Sequence, residues 1–457
     1  MAVWSPGFYR VEDYAKNVHD VSALRPDGTK LVVEQTKNRW LIRNAGPWTT
    51  ISVSYRLTCD RKSVTSNWVS DDLVVLNGAA TFVTLVGQPS RPHEVRLELP
   101  AKCKRSITAM DPAPDGLPDH YRAEDYDTLV DSPIVAGDLS IHEFEVEGSK
   151  HVLADAGEIG QWDGERAARN LEKMVRETHH FWGFLPFRRY VFLNVFRAGG
   201  GGLEHKNSTL LTSSPRGARE PGSVRWLSFV SHEYFHAFNV KRLRPIELGP
   251  FDYEHPPSTK SLWISEGLTT YFGDLILVRA GLATPQDALN LLSSHIGQLQ
   301  NSRGRLAQSL EQASLDVWSS GTSGVGRDSA TKLSYYVKGP VVGFVLDTRI
   351  RRATGGKKSL DDVMKLAYRR YSGERGFTSD QFRAVAEEVA GVDLKEWFRK
   401  AISSTEELDY QEALDWYGLR FTPADDPAKA WKLEIRTDTT DAQKAHLRAW
   451  SGAAGGA

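Results

Sequence analysis

Two cysteines, Cys59 and Cys103, are all the thiols in the 457-residue chain. A disulfide scaffold and a cysteine-rich zinc site are both excluded, so any metal must rest on histidine and carboxylate side chains. The chain also lacks an excess of either charge: 57 Lys and Arg face 58 Asp and Glu, a formal net charge of −1. That balance excludes a basic nucleic-acid binder and an acidic disordered tail as its main identity. No apolar run approaches the roughly 18 residues that a transmembrane segment needs. The opening Met1–Pro6 carries neither the basic nor the apolar stretch of a signal peptide. As written, the chain reads as cytoplasmic; an export signal upstream would make it periplasmic or secreted. What remains is an ordinary globular composition, 40% hydrophobic and 25% charged, long enough for two to four domains at about 150 residues each.

Up to residue 149 the pattern is strand-like. The segments 39–42, 51–57, 73–76, 80–86, 95–99 and 141–146 are rich in aliphatic, β-branched and aromatic residues, and Asp, Gly, Asn and Pro punctuate them. This predicts an antiparallel β domain over 1–149. From Asp163 the period becomes helical, with Ala167, Leu171, Met174 and Val175 on one stripe, and an apolar strand follows at 190–196. Further helices are predicted at 223–242, 262–281, 285–300, 340–352, 358–371 and 379–390. The glycine-rich piece Gly321–Gly326 reads as a rim loop with no nucleotide role. Residues 404–457 read as a small appendage with a frayed end.

The chemistry concentrates in His232-Glu233-Tyr-Phe-His236, an H-E-x-x-H pattern on a predicted helix. One turn puts both imidazoles on the same face, where they can reach a single ion, while Glu233 can address a water on that ion. The pattern alone arises by chance in roughly one chain in fifty of this composition. Its context is apolar on all sides (Trp226, Phe229, Val230, Phe235, Phe238, Val240), and burying His, Glu and His there is costly without a cation. A catalytic zinc needs a third ligand and one open position. Glu266, on a helical stripe with Leu268, Tyr271, Phe272, Leu275 and Ile276, is the better candidate. Glu254, followed by His255-Pro-Pro257 and so in a loop, is the alternative.

Two flanking segments complete the pattern. Upstream of the helix, the strand 190–196 runs into Gly199-Gly-Gly201-Gly202-Leu-Glu204-His205. Glycines there admit a peptide backbone, and Glu204 could bind a free ammonium; a glycine loop with a solvated Glu fits the same residues. Downstream, Tyr335 and Tyr336 precede Pro340, a residue suited to the first turn of a helix. A phenol can donate to the oxyanion formed when a carbonyl is attacked, although such a pair also fits a core.

Taken together, several motifs resemble the glycyl aminopeptidase family of gluzincin metallopeptidases, many of which carry a PDZ domain. They are Trp4-Ser-Pro-Gly-Phe-Tyr9, Leu129-Val-Asp-Ser-Pro133, Gly201-Gly-Leu-Glu-His205, His232–Asn239, Gly249-Pro-Phe-Asp-Tyr253, Trp263-Ile-Ser-Glu-Gly267, Tyr336-Val-Lys-Gly339 and Lys358–Met364. The resemblance spans about residues 4–420. It implies a multidomain α+β protein: an N-terminal antiparallel β domain (1–149), a thermolysin-like catalytic domain (150–283) and a mainly helical domain (284–403). It implies one Zn2+ per chain on His232, His236 and Glu266, with Glu233 as general base. Glu204 would bind the substrate α-amine beside Gly201 and Gly202, and Tyr336, with Tyr335 its nearest competitor, would stabilise the tetrahedral intermediate. The substrates expected are peptides with a free N-terminus, with small first residues such as Gly and Ala favoured. The family pattern also implies strands before Trp4 that this sequence does not contain. Only 36 residues follow Phe421, so 404–457 is expected to be at most a PDZ remnant. The rival readings are a zinc endopeptidase and a non-catalytic, zinc-stabilised peptide-binding protein.

Overall fold

The computed structural model describes residues 1–46, 50–197, 200–213, 223–318, 329 and 331–452. Antiparallel β structure fills the first part, as the punctuated strand pattern predicts. A three-stranded sheet orders Lys30–Leu31, Val18–Leu24 and Ser52–Leu57; a four-stranded one orders Trp68–Val69, Leu73–Leu76, Ile134–Gly137 and Arg105–Thr108. The expected strand at 80–86 is not formed. Gly78–Thr81 is instead one helical turn, because Asn67 and Asn77 hold it from within: Asn67 Nδ2 donates to the Ala80 carbonyl and the Thr81 hydroxyl to that of Asn77. A Cβ at Gly78 would lie 2.3 Å from the Leu129 carbonyl oxygen, so only glycine permits this approach.

A five-stranded sheet follows, in the order Ser140–Val146, Ser149–Gly157, Arg189–Phe196, Ser208–Ser213, Gly201–Glu204. Its three inner strands are parallel and both outer ones antiparallel. The strand Ser140–Val146, placed by sequence in the first domain, therefore belongs to this five-stranded sheet. Its hairpin with Ser149–Gly157 spans residue 149, and register fixes it more firmly than composition could. The inner strand Arg189–Phe196 is buried on both faces, which accounts for its unbroken apolar run. The crossover helix Gly164–Trp182 starts where the Asp163 carboxylate accepts from the Arg166 amide and stops at left-handed Gly183.

The helical part departs from its predicted bounds at three places. The helix expected over 223–242 ends at Phe235; beyond it the Lys241 amide bonds back to the His236 carbonyl and that of Leu243 to the Phe238 carbonyl. The stretch expected as one helix over 262–281 is a π turn, Trp263–Gly267, running into the α-helix Leu268–Arg279. The helix expected at 340 begins at Tyr335, capped by the Ser334 hydroxyl, and Pro340 lies inside it rather than in its first turn. The loop Gly321–Gly326 falls outside the described residues.

The segment after residue 404, expected as a small appendage, is docked as far as it is described; the end expected to fray, 453–457, lies outside the described residues. It forms the helix Gln411–Tyr417, paired strands Leu419–Phe421 and Leu433–Ile435, and the helix Asp441–Ser451. Tyr417 and Trp450 are buried in the main core, and the Trp450 indole donates to the Tyr271 hydroxyl at 2.8 Å. Tyr271 in turn donates to Asp347, which also holds Arg351. Two large aromatic side chains anchor this segment in the core. Trp450→Ala is expected to cost about 3–5 kcal/mol, measurable as a lower denaturant midpoint for the whole chain.

Candidate metal and substrate site

The helix Val224–Phe235 packs between the edge strand Gly201–Glu204 and the helix Leu268–Arg279. This places residues from three separated segments against one another. His232, His236 and Glu266 converge: His236 Nε2 lies 3.1 Å and His232 Nε2 3.6 Å from Glu266 Oε2, and the two imidazole nitrogens are 2.9 Å apart. Glu266 comes from the π turn, a distortion that recurs at functional sites. Glu254, the alternative third ligand, is elsewhere, held by Arg39 and Asn38.

Hydrogen bonding fixes which way each ring faces. His236 Nδ1–H donates to the Asn239 carbonyl at 2.8 Å. The Thr270 hydroxyl gives its proton to the Glu266 carbonyl, so at 3.1 Å its oxygen accepts from His232 Nδ1–H. Both Nε2 atoms are then lone-pair donors in the neutral rings, and they face each other and a carboxylate oxygen. Three converging lone pairs repel unless a proton or a metal cation lies among them. A tetrahedral zinc with bonds of about 2.0–2.1 Å sets its ligand atoms about 3.4 Å apart, so the observed separations fit such an ion. The electrostatics agree in sign. Burial works to lower the His236 imidazole, yet Glu266, Glu204 and Glu233 outweigh it and raise it to about 10. The cluster favours positive charge.

Around these three atoms lie the remaining predicted residues. Glu233 is buried, its carboxyl pushed well above the usual range by burial. It lies against the edge strand: a Cβ at Gly202 would be 2.1 Å from Glu233 Oε1, so any larger residue there would displace the Glu233 carboxylate. Gly201 begins the strand, with φ 151°. Glu204 ends it, buried, with Oε1 lacking a hydrogen-bond partner among the described residues. Burial lifts its carboxyl to about 7, against the pull of His236. Tyr336 is half-buried with its ring 6.1 Å from that of His232, whereas Tyr335 is fully buried and its hydroxyl has no partner among the described residues. A Cβ on Gly267 would lie 2.5 Å from the Gly339 Cα. Two glycines thus let the helix bearing Tyr336 press on the turn bearing Glu266.

Two contributions were not foreseen from the sequence. Asn239 links the elements, its side-chain amide donating to the Ile264 carbonyl and Thr269 hydroxyl while its carbonyl holds His236. The N-terminal stretch also enters the site: the Tyr9 hydroxyl donates to Glu266 Oε1 at 3.0 Å. A Cβ at Gly7, where φ is 93°, would meet the Glu204 carboxylate at 2.4 Å. The only available signal was the Trp4–Tyr9 motif, which names no partner.

Comparison with known proteins bears on this geometry. Residues 225–342 match the family model of the M61 glycyl aminopeptidase, and residues 1–138 that of the peptidase M61 N-terminal domain. No curated protein matches the chain. Among solved structures, an aminopeptidase N family protein from Idiomarina loihiensis is similar at 29% identity and a TM-score of 0.86, over 92% of this chain and 74% of that one. Native leukotriene A4 hydrolase from Saccharomyces cerevisiae shares the fold at 17% identity and a TM-score of 0.53, over 85% of this chain and 60% of that one. A mutant of an M1 zinc metallopeptidase from Deinococcus radiodurans does so at 13% identity and a TM-score of 0.54, over 86% and 88%. The two family models together span more than half of the residues, and the chain accordingly belongs to the M61 glycyl aminopeptidase family and is a metallopeptidase.

Proposed function

We propose that the chain is a zinc aminopeptidase that removes small N-terminal residues, Gly and Ala, from peptides with a free N-terminus. One zinc per chain would be held by His232, His236 and Glu266. The observation that carries the reading is the convergence of three lone-pair donors beside the edge strand that ends in a buried carboxylate, Glu204, whose Oε1 has no hydrogen-bond partner among the described residues. Zinc, when bound, supplies a Lewis acid and an acidified water. Glu233 takes the proton of the attacking water and delivers it to the leaving amine. The Tyr336 hydroxyl donates to the developing oxyanion; burial keeps the phenol protonated and therefore a donor. Glu204 binds the substrate ammonium and fixes where the chain starts. The peptide backbone lies along the edge strand Gly201–Glu204, whose outer side pairs with no other strand among the described residues.

Hydrolysis of aminoacyl-anilides, with and without a zinc chelator, tests this. Gly- and Ala-anilides are expected to be cleaved, N-acetyl-Ala-anilide to resist, and chelator to stop the reaction. Cleavage of N-acetylated or internal bonds would make the enzyme an endopeptidase. Zinc binding with no turnover of any of them would make it a binding protein.

A further inference from the structure

Tyr9 is 257 positions from Glu266, and their contact, a 3.0 Å hydrogen bond, engages Oε1 alone. The other oxygen, Oε2, is the one that faces His232 and His236. A carboxylate oxygen already accepting from a phenol is the weaker donor to a cation, which favours coordination through the other oxygen. Chelation by both oxygens would take up the coordination position that a catalytic zinc keeps for water. The phenol is itself fixed. Tyr9 is 2% exposed, and its ring stands perpendicular to that of Trp318, centroids 5.9 Å apart. Trp318 also packs edge-on against Trp4 at 5.4 Å, and the Trp4 indole donates to the Asp252 carbonyl at 2.8 Å. Tyr9 therefore cannot swing away without opening this aromatic cluster.

We propose that Tyr9 is a positioning residue of the metal centre: its hydroxyl holds Glu266 in one-oxygen coordination and so keeps the fourth zinc position open. The inference rests on the reading that His232, His236 and Glu266 bind zinc. It makes the N-terminal segment part of the outer hydrogen-bond layer that orients metal ligands, the layer whose loss ordinarily weakens metal affinity by 10–100-fold.

The test compares full-length wild type with Tyr9→Phe and Tyr9→Leu, measuring zinc affinity by chelator competition, the melting temperature of each metal-free protein, and the visible spectrum after cobalt(II) substitution. Tyr9→Phe keeps the ring against Trp318 and removes only the hydroxyl. Its zinc dissociation constant is expected to rise about 10–100-fold with the metal-free melting temperature unchanged. Its cobalt bands are expected to weaken, as they do when coordination rises above four. Tyr9→Leu is expected to lose the same affinity and also to melt lower. Equal zinc affinity and an unchanged cobalt spectrum in Tyr9→Phe would overturn the proposal. So would an affinity loss accompanied by an equal drop in melting temperature in both variants, which marks packing alone. Wild type binding neither metal would instead overturn the metal-centre reading itself.

Discussion

Glu233→Gln is expected to bind zinc as tightly as wild type and to turn over peptides about 10²–10⁴-fold more slowly, the usual contribution of a positioned general base. The amide keeps the shape and loses the ability to accept a proton. Metal affinity should persist because Glu233 is not among the three converging ligand atoms; its carboxylate lies against Gly202. Burial raises its proton affinity well above that of an exposed glutamate, which suits a group that must take a proton and release it again to an amine. Steady-state turnover paired with elemental analysis of the same preparation decides the matter. A variant with full metal content and near-normal turnover would remove Glu233 from the mechanism.

Tyr336→Phe is expected to lower kcat by about 10²–10³-fold, the effect of losing one oxyanion donor, with KM and zinc content nearly unchanged. A hydrogen bond made only in the transition state is lost from the rate and not from substrate binding. Tyr336 rather than Tyr335 is the choice because its ring leans toward His232 and is partly open, whereas Tyr335 is enclosed on all sides. The two phenols stand 4.9 Å apart, ring to ring, so the paired variant Tyr335→Phe is the control. If Tyr335→Phe carries the kcat loss and Tyr336→Phe does not, the roles exchange.

Much of the site could be read from local spacing. Two imidazoles four residues apart on a helix face one way in any helix, and Glu266 was separable from Glu254 because one sits on an apolar stripe and the other beside two prolines. Glu204 was accessible only through the family resemblance, since the glycine-rich segment alone fits a solvated loop as well. Tyr9 was not accessible. Its partner is 257 positions away, and nothing periodic in Trp4–Tyr9 says which carboxylate a phenol will meet. The π turn at Glu266 and the end of the motif helix at Phe235 were hidden for a related reason. Both depend on tertiary hydrogen bonds, notably those of Asn239, that override helix propensity. The absent strand at 80–86 reflects Ala80 and Thr81 being drawn into a turn held by Asn67 and by the close approach of Gly78 to Leu129. The docked C-terminal segment shows that two buried aromatics, Tyr417 and Trp450, can anchor a short stretch that reads as an appendage.

The entry of residues 4–9 into the site bears on recombination. Exchanging the N-terminal sheets between relatives looks like swapping a self-contained module, yet Gly7 and Tyr9 would travel with the donor while Glu204 and Glu266 stayed with the recipient. A hybrid spliced after the first sheets inherits a mismatched pair of contacts at its centre. A workable exchange starts between Tyr9 and Val18, leaving residues 4–9 with the recipient, or carries both sides of each contact over together.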